Sequence, residues 1–163
     1  MFPRSLLTLL ILFGQAQIGG CADGGADAGI EVRDAVIREA VPGRTNTVAY
    51  FSITNRGTVP VQLLGAHSDY VERLELHTHV RNGDMIGMRR VDAVDLAPQQ
   101  AVVFASGGHH LMVFGAKGLP SPVPVTLEFS DGSTQVVEFR RVGLDGLEHV
   151  SEDVLKDVLK DAF

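Results

Sequence analysis

Six histidines and four methionines are spread unevenly along the 163 residues. His77, His79, His109 and His110 fall between residues 77 and 112, and the same window contains Met85, Met88 and Met112. Imidazole nitrogen and thioether sulfur together make a soft, uncharged donor set. Thioether sulfur is a poor partner for Mg, Ca or Zn and a good one for Cu(I), so the residue types point to monovalent copper. Thioethers have no proton to lose, so such a site should depend less on pH than one built from thiols. A blue-copper centre is excluded: it needs a cysteine thiolate, and the one cysteine, Cys21, precedes the folded part.

Strands must bring these groups together. Short runs rich in β-branched and aromatic residues occupy 30–38, 47–54, 61–67, 72–79, 85–91, 101–104, 110–114, 123–129 and 134–141. They are separated by turn residues such as Pro42-Gly43, Asn55-Arg56-Gly57, Asn82-Gly83, Ser106-Gly107-Gly108 and Asp131-Gly132. Strands about ten residues apart, with no convincing helical stripe among them, predict an all-β domain, a two-sheet sandwich or small barrel. Alternation assigns the faces: Ala49, Phe51 and Ile53 point one way, Val48, Tyr50 and Ser52 the other, and Val137 and Phe139 oppose Val136 and Glu138. His110 and Met112, two apart, share a face. His77 and Met88 sit on opposite arms of the Asn82-Gly83 hairpin, where side chains approach across strands.

Ten residues separate His77 from Met88, twenty-one separate Met88 from His110, and one separates His110 from Met112. This resembles the H-x10-M-x21-H-x-M signature of the periplasmic copper chaperones called PCu(A)C, small cupredoxin-like proteins. The likeness extends to Ala49–Gly57, to the approach Val71–His77 and to Gly108–Met112, and covers roughly residues 30 to 141. It implies a cupredoxin-like Greek-key β-sandwich or barrel that binds one Cu(I) through His77, Met88, His110 and Met112. Three further side chains crowd these four. His79 shares a face with His77, Met85 lies just ahead of Met88, and His109 adjoins His110 but points the opposite way. They are candidates for an accessory or supporting role, including a Cu(II) site, against the plainer reading of solvated polar residues. His67 and His149 read as surface.

The ends of the chain are different. Arg4 followed by the apolar run Leu6–Phe13 has the length of a signal peptide and is too short to span a membrane, so residues 1–20 are expected to be removed. Ile18-Gly19-Gly20-Cys21 resembles the lipobox of bacterial lipoproteins, in which the cysteine is acylated. Lipidation at Cys21 would explain the lone cysteine, with residues 21–29 as a flexible tether and 30–143 as the domain. An ordinary secretory signal that leaves Cys21 free is the competing reading. Residues 144–163 contain six acids, and Ser151 precedes Val154, Leu155, Val158 and Leu159 at helical spacing, which predicts a short acidic amphipathic helix. It departs from the His/Met-rich tails of many relatives.

The charge of −6 and the absence of any basic stripe exclude nucleic acid as partner. A Gly-x-Ser-x-Gly elbow, a His-Glu-x-x-His pair and a phosphate-binding glycine loop are all missing from the sequence, which argues against an enzyme. The alternatives are a metal-free envelope β-sandwich that mediates protein contacts and, behind it, a copper-dependent enzyme. The resemblance implies instead a protein at the periplasmic side of the bacterial envelope, touching the membrane only through its lipid. Its partners would be the copper ion and either the copper A subunit of cytochrome c oxidase or a thiol-bearing copper assembly protein.

Overall fold

The computed structural model describes residues 29–83 and 85–143. The expected leader, all but the last residue of the tether, the lipidation candidate Cys21 and the tail helix lie outside them. Ten strands are found among the described residues: β1 (Ile30–Arg38), β2 (Thr47–Asn55), β3 (Val61–His67), β4 (Arg73–Asn82), β5 (Met85–Arg90), β6 (Val94–Leu96), β7 (Ala101–Phe104), β8 (His109–Phe114), β9 (Val123–Phe129) and β10 (Thr134–Val142). The expected all-β architecture is what the described residues adopt, and the nine expected strands are each found within a few residues of their ends. The tenth, β6, is three residues long, too short for alternation to register.

The strand order is β5-β4-β8-β7-β2-β1-β10-β9-β3-β6, and β8 also pairs with β2. The parallel pairing of β1 with β10 joins two groups of strands. A bulge between Arg33 and Val36, with Asp34 at φ 53°, sits in β1 where it turns from one group toward the other. One apolar cluster fills the space between the groups. Its centre is aromatic: Phe51 and Phe104 stack with centroids 4.2 Å apart, and Phe139 on β10 meets Phe51 edge-on at 5.6 Å. Ala49, Phe51 and Ile53 are buried, as their alternation requires, and Val136 is exposed while Phe139 is fully buried.

The interruption between β7 and β8 positions the histidines. Both run antiparallel to β2, with Phe104 opposite Phe51 and Leu111 opposite Ala49. Between these pairs β2 contributes Tyr50 alone, while the facing chain contributes 105–110. The excess loops out at Ala105–Gly108, closed by the Gly108 N–H donating to the Ala105 carbonyl at 3.1 Å, with Gly107 at φ 83°. His109 and His110 stand where the chain re-enters the sheet, beside β4.

Candidate metal centre

Register brings the two expected imidazole ligands face to face. His77 on β4 is the direct partner of His110 on β8, and two residues away Glu75 is the partner of Met112. On the other side of β4, His79 is the partner of Met88 and His77 of Arg90. Because partners across a ladder share a face, Glu75, His77, His79, Met88, Arg90, His110 and Met112 all belong to one side of the sheet. It is the side away from Leu74, Leu76, Leu111 and Val113, which are buried in the core.

The rings cluster closely. His110 is 1% exposed and lies between two others, with centroids 5.9 Å from His77 and 5.1 Å from His79. Exposure rises across the group: His77, His79 and Met112 are half-buried and Met88 is exposed. Among the described residues no three His, Cys, Asp or Glu side chains converge tightly enough to hold an ion by themselves. A metal at this place would need donors of another kind, and Met88 and Met112 on the same face carry thioether sulfurs of that kind.

Hydrogen bonds settle which nitrogen of each ring is free. A carboxylate can only accept, so the 2.9 Å contact between His77 Nε2 and Glu75 Oε2 puts the His77 proton on Nε2. His77 Nδ1 then carries the lone pair, buried and with no partner. A carbonyl likewise only accepts, so His110 Nδ1 donates to the Gly108 oxygen at 3.2 Å. His110 Nε2 is left with its lone pair, also buried and unpartnered. Buried polar atoms are rarely left unsatisfied, and two orphaned imidazole lone pairs on neighbouring, directly paired residues form a donor pair for a cation.

Burial favours the neutral form of His110. Burial holds His110 below the ordinary histidine value of 6.5; the Gly108 bond opposes this, and His79, His77 and His109 add to it. Glu75 is held below the usual carboxylate range, first by the bond from His77 and then by Arg73. Arg73 Nε lies 2.7 Å and Arg90 Nη1 3.8 Å from Glu75 Oε1.

The accessory candidates divide. His79 stands on the face of the four, its Nδ1 donating to the Gly108 carbonyl at 3.3 Å. That oxygen also receives the His79 backbone N–H, so a single carbonyl fixes two rings and joins β4 to the loop. His109 is on the opposite, inner face beside Phe104, with ring centroids 5.6 Å apart and its Nδ1 buried and unpartnered. Burial lowers its pKa as well. Met85 is 73% exposed near the hairpin turn, on the other face of β5 from Met88. His67 pairs with Glu128 at 2.8 Å on the surface, and His149 lies outside the described residues. Sequence reasoning missed Glu75, although Glu-x-His on a strand places the two side chains on one face. It also missed the Gly108 carbonyl, which no side-chain pattern could signal.

The family model described as LpqE-like, a lipoprotein description, matches residues 30–140. No curated protein matches the chain. Among solved structures, the copper-bound PCuAC domain from PmoF2 is similar with a TM-score of 0.61 at 20% identity, covering 71% of this chain and 93% of that one. The solution structure of CuI-DR1885 from Deinococcus radiodurans gives 0.56 at 26% identity, covering 74% and 85%. The apo form of DR1885 gives 0.54 at 23%, covering 88% and 95%. The expected cupredoxin-like β-sandwich is the fold these domains share with this chain.

Proposed function

The chain belongs to the LpqE-like family and has the fold of PCuAC domains, and from that premise we propose that it is a copper chaperone that carries one Cu(I) and releases it by ligand exchange. Its ligands are His77 Nδ1, His110 Nε2 and the sulfurs of Met88 and Met112. The observation that carries the reading is the pair of buried, unpartnered imidazole nitrogens on directly paired residues, on the face that also bears both methionines. The copper-bound structures among its structural neighbours support the choice of metal.

The ion is cargo. Four donors leave no obvious open position for a substrate, so no turnover is assigned to the copper-loaded protein. Thioethers are neutral and can be displaced one at a time, and Met88 is the more exposed of the two. An incoming donor therefore replaces Met88 first, and the buried His110 lets go last. Acylation at Cys21 keeps the domain at the periplasmic face of a membrane, in keeping with the family's description as lipoproteins. The copper A centre of cytochrome c oxidase, reached directly or through a thiol-bearing assembly protein, is the destination.

X-ray absorption on the Cu(I)-loaded protein tests the ligand set. Two sulfur and two nitrogen scatterers are expected. A first shell without sulfur would remove Met88 and Met112 from the site and with them the reading.

A further inference from the structure

The strand that bears Met88 is an edge of the sheet and the most exposed of the ten. β5 pairs only with β4, and all six of its residues are exposed. Large apolar side chains are conspicuous there: Ile86 is 64% and Met88 58% exposed. Register shows which of its neighbours look the same way. Ile86 is the partner of Arg81, Met88 of His79 and Arg90 of His77, so Arg81, Ile86 and Arg90 surround Met88 on the imidazole-bearing face. Within residues 73–90 the sequence has four arginines against Glu75 and Asp84, a local positive surplus in a chain of net charge −6. Glu75 is engaged by Arg73 and His77 at 2.7 and 2.9 Å and reaches Arg90 only at 3.8 Å, so one carboxylate faces two arginines and an imidazole. Among the described residues no carboxylate pairs with Arg81.

Exposed apolar groups ringed by charge of one sign, on an unpaired strand edge, are the makings of a transient docking surface. We infer that this face of the β4–β5 hairpin is where the copper acceptor docks, and that the acceptor is a protein with an acidic rim around its own metal-receiving thiols. Ile86 supplies the apolar contact, and Arg81 with Arg90 attracts and orients the acidic rim. Met88 lies between them, at the first point where an entering thiol meets the ion. In the exchange the thiol loses its proton to solvent, its sulfur bonds to Cu(I), the bond to Met88 breaks, and copper remains monovalent. The inference rests on the proposed Cu(I) site; charge complementarity favours an acidic partner, and the thiols select it over a second copy of the chain, whose one cysteine, Cys21, precedes the domain.

Two synthetic dithiol peptides serve as acceptors, identical except that one is flanked by aspartates and the other by lysines. Copper loading is measured first, so a protein that takes no Cu(I) fails on the proposed function and not on this inference. Comparing each peptide's rate with native protein and with Arg81→Glu cancels the intrinsic reactivity of its thiols. At low salt, Arg81→Glu should slow transfer to the acidic peptide about tenfold and quicken transfer to the basic one, and both effects should vanish near 1 M salt. Ile86→Ser should slow both transfers without changing Cu(I) affinity. Rates to both peptides that ignore Arg81→Glu and salt would overturn the inference. So would light scattering that finds a native dimer dissociated by the same substitution, since the edge would then belong to a second copy.

Discussion

Glu75 accepts the Nε2 proton of His77 at 2.9 Å, two residues along the same strand, and thereby fixes Nδ1 as the nitrogen that faces the proposed ion. Partners that orient a metal-binding imidazole contribute about 10- to 100-fold to metal affinity when they are lost. Glu75→Ala is expected to lower Cu(I) affinity within that range, read by competition with a chromophoric Cu(I) chelator. Glu75→Gln keeps an accepting oxygen and should lose less. Equal affinities for all three proteins would show that the bond does not position the ring.

The two methionines should discriminate between oxidation states. Thioether sulfur favours Cu(I), whereas Cu(II) is satisfied by nitrogen and oxygen donors. Met88→Ala and Met112→Ala should each weaken Cu(I) by at least about tenfold, or roughly 1.4 kcal/mol, with a much smaller effect on Cu(II). Parallel titrations with the two ions measure the difference. A uniform loss would point to damage of the fold rather than removal of a donor.

Much of this arrangement was legible in the residues alone, for identifiable reasons. Alternation named the buried side of β2, because Ala49, Phe51 and Ile53 leave no other face for the core. The hairpin at Asn82-Gly83 and the two-residue step from His110 to Met112 placed the methionines and histidines on strands that the fold makes neighbours. What the pattern could not give was long-range. Pairing of His77 with His110 depends on β8 crossing in between β4 and β2, and the orientation of two rings depends on a backbone oxygen. Alternation along one strand says nothing about which strand lies beside it.

Acid should loosen the apo fold. Burial lowers the pKa of both His109 and His110 in the folded chain, whereas in the unfolded chain they titrate near the ordinary value of 6.5. The unfolded state therefore binds more protons as pH falls below about 6.5, and stability rises with pH across that window. The melting temperature of the copper-free protein should drop between pH 7.5 and 5.5. His109→Gln, which removes a buried titrating group away from the site face, should flatten the dependence. A pH-independent melting curve would contradict the burial of both rings.

The joint between the two strand groups should be sensitive to Phe139. This ring comes from β10 and meets Phe51 of β2 edge-on at 5.6 Å, and it is fully buried. Phe139→Ala is expected to cost about 3–5 kcal/mol by cavity formation, measured by denaturant unfolding. The exposed Val136 on the same strand offers the comparison, since Val136→Ala should change stability by less than about 0.5 kcal/mol.

Gly107 separates a demand on the backbone from a demand on the metal. Its φ of 83° lies in the left-handed region, and a Cβ there would meet nothing within 4 Å, so a side chain costs conformational energy and creates no clash. Gly132 has nearly the same φ, 84°, and equally open space, but it sits in the turn between β9 and β10, remote in the sheet from β4 and β8. Valine at either position should lower stability by about 1–2 kcal/mol, the ordinary cost of forcing a left-handed conformation on a branched residue. The consequences for copper should differ. Only Gly107→Val disturbs the loop that presents the Gly108 carbonyl, and with it the oxygen that holds His79 and His110 by their Nδ1 protons. Cu(I) affinity should fall in Gly107→Val and stay unchanged in Gly132→Val at matched loss of stability. If both variants bind Cu(I) as the native protein does, the carbonyl does not orient the rings, and the ligand geometry must come from the strands alone.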